Sequence, residues 1–364
     1  MKPIINIVLL GKGNVGSAWL ELFTEQKSRY ENIAQVRVVA IANSARFYIK
    51  SDGVNTSEMN QFPNQAQVGN LSELTRLIAQ LHLDNVIVLD ITASKSVADQ
   101  YLEFAELGWN IISANKIPLT KSSERYKTLV NKLREQHSYW GINATVGAAL
   151  PIQSSLHELI QAGDRIDTIS GVFSGSLSYL LVNYDGKQSF TELVKKACEA
   201  GITEPDPRDD LSGIDVQRKL LILSRVAGHI INLSDIQVKP LLPEAFMKGT
   251  IVDFWQQHEE IDAYMVEQFN KANEEGKKLC YLGQISFINK IANGKVGLES
   301  LSQNNAVTQL KPSDNVFTLK TDFYRENSLI IRGPGAGAIV TATAVNIDLN
   351  KFITQVALAT ELTN

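Results

Sequence analysis

The first 120 residues alternate short apolar runs with segments of helical spacing, and few architectures accept that order. Residues 4–10, 36–42, 86–90 and 110–113 are runs of the kind found in strands buried on both faces. Between them, residues 71–81 place Leu and Ile at helical intervals. Strand and helix in alternation predict an α/β fold, a parallel sheet with helices on both faces. Residues 50–70 turn polar (Ser51, Asp52, Gly53, Asn55, Asn60, Gln61, Asn64, Gln65) and read as a surface excursion within this first domain.

After Pro151 the pattern changes. A helix is expected over 152–162 and a strand near 167–173. Ser189, with Glu192 three residues on, opens another helix that Gly201 closes. A longer helix is predicted from Asp209 and Asp210 to Gly228. Residues 281–287, 296–299, 316–321 and 328–331 look like strands separated by turns, a largely antiparallel sheet.

Composition narrows the function. Lys plus Arg number 35 against 39 Asp plus Glu, a net charge of −4, so there is no basic field to gather nucleic acid or anionic membrane, and a small-molecule ligand is expected. Only two cysteines occur, Cys198 and Cys280, in no metal-ligand spacing, which fits a reducing cytoplasm. The apolar N-terminus is interrupted by Asn6 and ended by Gly11, with no small-residue cleavage site; it reads as a strand, not a signal peptide. No run approaches the ~20 apolar residues of a membrane span.

Gly11-Lys12-Gly13-Asn14-Val15-Gly16 follows the first strand directly and opens a helix. The glycines permit a tight turn, close backbone approach to a pyrophosphate and tight helix packing, with free N–H groups and the helix dipole facing the anion. The second strand ends not in an acidic residue for the adenosine ribose but in Asn43-Ser44-Ala45-Arg46, which favours NADP and leaves NAD open. Later strands end in Asp90-Ile91-Thr92-Ala93-Ser94 and Ser113-Ala114-Asn115-Lys116. Carboxyl ends of parallel strands line the ligand crevice, so Thr92, Asn115 and Lys116 are expected to point where nicotinamide and substrate meet.

The densest signal runs from Gly201 to Lys219. Pro205 and Pro207 stiffen a loop carrying Glu204, Asp206, Asp209, Asp210 and Asp215. The helix that follows places Asp215 and Lys219 at i, i+4, on one face. Leu220, Leu221, Ile222 and Leu223 come next, so this pair sits at the edge of a core, where a partly desolvated lysine beside a carboxylate can exchange a proton with a substrate oxygen. The five histidines form no partner motif, and there is no Gly-x-Ser-x-Gly elbow. The small-residue turn from Asn143 to Pro151 has carbonyls suited to a hard monovalent cation, or is a hinge. Gly333-Pro334-Gly335-Ala336-Gly337 precedes a helix-like stretch over 340–345 and is either a second backbone approach to the cofactor or a turn.

Four blocks in order, Gly11-x-Gly13-x-x-Gly16, Ala144-Thr145-Val146-Gly147, the run from Glu204 to Lys219, and Gly333 to Gly337, make the whole chain resemble homoserine dehydrogenase, with Gly175-Ser176-Leu177-Ser178-Tyr179 in support. It is most similar to the form fused to aspartokinase. The resemblance implies NAD(P)H-dependent reduction of L-aspartate 4-semialdehyde to L-homoserine, on the path to threonine and methionine. By that analogy Lys219 gives the proton, Lys116 positions the carbonyl oxygen, Glu204 and Asp215 hold the substrate's ammonium or hydroxyl, and Asp210 and Gly201 support the pocket. Cofactor contacts fall to Asn14, Val15, Thr92, Ala114, Lys116 and Gly337, beside Gly11, Gly13, Gly16, Asn43 and Arg46. A sodium site is implied at Val146, Ala148 and Leu150 with Asn143 where the family often has an acidic residue.

The same analogy implies a Rossmann-like domain over 1–145, an α+β substrate and dimerisation domain over 146–332, and a segment 333–364 returning to the first. A homodimer or a dimer of dimers is expected, without the regulatory ACT domain of longer relatives. Two rivals stand: another NAD(P)-dependent small amino-acid oxidoreductase, and a non-catalytic dinucleotide sensor. A sensor has no use for Glu204, Asp215 and Lys219 together.

Overall fold

The structure is a computed structural model describing residues 2–288 and 291–363. It divides into two compact units, one of residues 1–149 with 337–364 and one of residues 150–336.

The first unit is built on seven strands: β1 (Ile4–Leu10), β2 (Gln35–Ala42), β3 (Arg46–Ile49), β4 (Gln67–Val68), β5 (Val86–Asp90), β6 (Asn110–Ser113) and β7 (Trp140–Gly141). Their order is β4-β3-β2-β1-β5-β6-β7; β2, β1, β5, β6 and β7 run parallel, with β3 and β4 added antiparallel at one edge. Alternation along β1 sends Ile5, Ile7 and Leu9 to one face and Val8 and Leu10 to the other, and both faces are buried. On the first face lie the helix Asn14–Glu31, through Trp19, Leu20 and Phe23, and the C-terminal helix Ala338–Thr363, through Ala342, Val345, Leu349 and Phe352. The second face packs Leu74 and Ile78 of the helix Leu71–Ala79, Tyr101, Phe104, Leu129 and Leu133.

The second unit has six strands: β8 (Ile166–Val172), β9 (Ile236–Val238), β10 (Lys277–Ile288), β11 (Ile291–Ser302), β12 (Asp314–Thr321) and β13 (Leu329–Pro334). They are ordered β13-β12-β8-β10-β11-β9, antiparallel throughout except for the β11–β9 pair.

Three local expectations are corrected. Residues 50–70 are not merely a surface excursion: Val54, Met59 and Phe62 are buried, and a capping box between Asn55 and Glu58 opens the short helix Thr56–Asn60. The helix expected from Asp209 to Gly228 is two, Pro207–Leu211 and Ile214–Val226. Gly213 separates them in a left-handed conformation (φ 72°), and a Cβ there would lie 1.8 Å from the Tyr281 hydroxyl, so the break both turns the chain and admits Tyr281. The helix after Gly337 extends far past residue 345, to Thr363.

Candidate active site

At the carboxyl ends of the central parallel strands of the first unit, the loop after β1 meets those after β2 and β5. The Gly11 amide donates to Ala42 O at 2.9 Å, and a Cβ on Gly11 (φ 99°) would lie 2.6 Å from Ile91 O and 2.9 Å from the Thr92 methyl. A Cβ on Gly16 would stand 2.0 Å from Gly11 O, so the helix can approach the strand only without one. Gly13 faces open space. It is also the N-cap of an 18-residue helix and supplies no side-chain acceptor, so first-turn amides at Asn14 and Val15 face outward with the positive end of the dipole. These are the requirements of a pyrophosphate cradle, and the residues present fit a dinucleotide.

Asn43 is committed to the β2–β3 turn: its Oδ1 accepts from the amides of Ala45 and Arg46 at 3.0 and 2.8 Å. Arg46 is exposed and donates to Ala66 O at 3.1 Å. Lys12, between the first two glycines, donates to Met59 O at 2.6 Å with its ammonium over the Phe62 ring, and burial lowers its pKa.

Behind the strand ends lies a buried carboxylate network that sequence reasoning missed. Asp90, 0% exposed, accepts from the Thr92 hydroxyl at 2.6 Å and amide at 3.0 Å, and from Tyr101 OH and Asn115 Nδ2 at 2.9 Å each. Burial raises its pKa, and the donors act against that. Asn115 therefore points inward to Asp90 and the Ser94 carbonyl, not into the crevice as expected. Thr92, Ala114 and Lys116 remain at the strand ends, Ala114 through its amide to Asp90 O.

Asn143 is held by the C-terminal helix: its amide and Nδ2 both donate to the Asp348 carboxylate, whose pKa burial raises. Gly141 makes room, since a Cβ there would lie 2.7 Å from that of Asp348. After Val146, Gly147 (φ 77°) and Ala148 (φ 49°) are both left-handed, a strained state for a residue with a Cβ. Gly337 (φ 126°) opens the C-terminal helix, its carbonyl accepting from Thr341. Among the described residues no group of three or more His, Cys, Asp or Glu is placed to hold a metal. A monovalent cation at this loop calls on carbonyl oxygens instead.

In the second unit, the helix Ile214–Val226 brings Asp215 and Lys219 together as the spacing predicted, Nζ to Oδ2 at 2.8 Å. Lys219 is 8% exposed, and its Nζ also donates to Phe173 O at 2.6 Å. That carbonyl follows β8, and the Phe173 ring is stacked on Phe317 of β12, centroids 4.9 Å apart. Gly201 (φ 65°) terminates the helix Phe190–Glu199 and starts the acidic loop. Asp210 Oδ2 accepts from the amide of Glu204 at 2.7 Å. Burial raises the Asp210 pKa, and the nearby Asp215 charge adds to that while Lys219 opposes it. Arg208 is absorbed by Asp206 and Gly249 O. Leu150 begins this unit, its carbonyl accepting from Ile152 at 2.8 Å.

A sheet that turns on glycine at its first strand and leaves a helix N-terminus for pyrophosphate places the chain among nicotinamide-dinucleotide oxidoreductases. The profile of the homoserine dehydrogenase NAD-binding domain matches residues 11–143, and that of homoserine dehydrogenase itself matches residues 151–349. The chain belongs to the homoserine dehydrogenase family, enzymes that act on a CH–OH group with NAD(P).

It is 42% identical to the bifunctional aspartokinase/homoserine dehydrogenase 2 of Escherichia coli over 353 residues, 96% of this chain and 43% of that protein. It thus spans less than half the length of that bifunctional relative. It is 35% identical to the homoserine dehydrogenase of Schizosaccharomyces pombe, across 97% of this chain and 96% of the yeast one. A Candida auris crystal structure superposes with a TM-score of 0.87 at 32% identity, covering 97% of this chain and 99% of that one. Homoserine dehydrogenase from Thermoplasma acidophilum, at 19% identity and a TM-score of 0.70 over 95% of this chain and 98% of its own, shares the fold.

Proposed function

We propose that this protein reduces L-aspartate 4-semialdehyde to L-homoserine, with Lys219 as the proton donor. The observation that carries the reading is the buried Lys219 ammonium, fixed by Asp215 at 2.8 Å and by Phe173 O at 2.6 Å on the helix after the acidic loop. The bound dinucleotide supplies a hydride to the aldehyde carbon. As the carbonyl π pair moves onto oxygen, Lys219 Nζ passes a proton to it and is left as the neutral amine; Asp215 holds the ammonium in place before the transfer. Lys116 is assigned the positioning of that oxygen. Glu204 and Asp215 receive the substrate's ammonium, with Asp210 tying the Glu204 backbone in place and Gly201 setting the loop's entry.

The cofactor is held by Gly11, Gly13, Asn14, Val15 and Gly16 at the pyrophosphate and by Thr92, Ala114, Lys116 and Gly337 farther along. NADP is preferred through Arg46, supported by the turn that Asn43 fixes and by the absence of an acidic residue at the end of β2. A monovalent cation, sodium foremost, takes the carbonyls of Val146, Ala148 and Leu150 with Asn143; the left-handed Ala148 supports a loop held for a ligand. Residues 1–145 with 333–364 serve the nucleotide and 146–332 the substrate and a homodimer contact, in the cytoplasm. No helix among the described residues is long and apolar enough to cross a membrane.

The test is NADPH consumption by the purified protein with L-aspartate 4-semialdehyde, run beside Lys219→Ala and repeated with NADH. Turnover lost in the variant with NADPH binding intact is the expected result; undiminished turnover rejects Lys219 as donor.

A further inference from the structure

The glycine block over 333–337 and a wholly buried asparagine explain one another. Asn315, on β12 opposite Gly333 of β13, is 0% exposed. Its Nδ2 donates to Phe173 O at 3.2 Å, the same carbonyl that receives Lys219 Nζ at 2.6 Å. A carbonyl can only accept, so the amide nitrogen must face it, and Asn315 Oδ1 is left buried with no partner among the described residues. A Cβ on Gly335 would lie 1.9 Å from Asn315 Nδ2 and 2.1 Å from its Cγ, so the carboxamide occupies this place only because residue 335 is glycine.

Stability alone favours leucine at position 315: the same shape, with no orphaned oxygen in the core. What asparagine adds is a donor to the second lone pair of Phe173 O, which aims the first at Lys219. The Phe173 ring is anchored by its stack on Phe317 at an interplanar angle of 13°, which leaves the direction of its carbonyl to the two donors that bond it.

We infer that Asn315 is a positioning residue for Lys219, acting through the Phe173 carbonyl, and that Gly335 is glycine in order to seat it. The inference rests on Lys219 being the proton donor. Among the described residues, Asp215 on its own helix and Asp210 on the preceding one also bear on this ammonium. Losing the amide donor leaves both carboxylates in place and removes only the direction of the carbonyl.

The experiment measures kcat, KM for the semialdehyde, NADPH affinity and melting temperature for Asn315→Leu, Gly335→Ala, Asn315→Ala and the Gly335→Ala/Asn315→Ala double variant. Asn315→Leu should lower kcat about tenfold through misalignment of the donor, with KM and NADPH affinity unchanged and melting temperature no lower. Gly335→Ala should lower kcat by displacing the carboxamide, and the double variant should be no slower than Asn315→Ala alone. An unchanged kcat in Asn315→Leu, a loss matched by falling NADPH affinity and melting temperature, or additive losses in the double variant would overturn the inference. Lys219→Ala separates the two claims: if it stays active the donor reading falls and takes this one with it, whereas an inactive Lys219→Ala beside a normal Asn315→Leu removes this one alone.

Discussion

The two units handle their ligands by different means. The first prepares for an anion with backbone: three glycines within six residues, a bare helix N-terminus and strand ends, with one buried carboxylate, Asp90, spent on holding those ends together. The second, on the proposed reading, prepares for proton transfer with groups from separate elements: the side chains of Lys219 and Asp215 from one helix, that of Asn315 from β12, and the backbone carbonyl of Phe173 after β8. Backbone recognition tolerates little change in shape, whereas side-chain chemistry tolerates little change in identity.

Substitutions can break that contrast. Lys219→Ala should reduce kcat by about a thousandfold while fluorescence titration finds NADPH binding as before; joint loss would mean that the units are not separable. Gly16→Ala adds only a methyl group, yet it must fit 2.0 Å from Gly11 O. It should cost about 2 kcal/mol in urea unfolding and weaken NADPH at least tenfold, on the order expected for a misplaced charge-assisted contact. Wild-type affinity in that variant would remove the cradle from the first unit.

Asp210 sharpens the comparison in the second unit through pH. Burial raises its pKa, so as pH falls it protonates before an ordinary carboxylate does and its hold on the Glu204 amide weakens. The acid limb of kcat/KM should therefore lie above the usual carboxylate range, and Asp210→Asn should flatten that limb with a loss of about fivefold at neutral pH. A limb unmoved by the substitution would assign it elsewhere. The smallest effect is expected at Arg46, which is exposed: Arg46→Ala should weaken NADPH about threefold, as for a solvent-screened ion pair, and leave NADH unchanged. Equal effects on both would end its role in choosing between them.

Legibility follows the same division. The Gly11 to Gly16 turn and the Asp215–Lys219 pair are contiguous or one helical turn apart, so local spacing announces them. The strand ends were readable for a similar reason, because doubly buried runs stop where the sheet stops. Asn115 was misplaced because nothing near it in sequence reveals that Asp90, on the neighbouring strand, requires a donor. Phe173 and Asn315 were invisible: a backbone carbonyl has no residue type, and Asn315 lies 142 positions away. The break at Gly213 was missed because its cause, the Tyr281 hydroxyl, comes from a distant strand.

The C-terminal helix has a consequence for the order in which the protein is made. Ala342, Val345, Leu349 and Phe352 belong to the same buried cluster as Ile5 and Trp19, and Asn346 accepts from Tyr30 OH at 3.0 Å. A nascent chain thus carries its first sheet with one face covered only in part, by the helix Asn14–Glu31, while the whole second unit is translated, on the order of ten seconds or more at ordinary elongation rates. The glycine turn is synthesised early, and the helix that completes the wall behind it only after the second unit has been made.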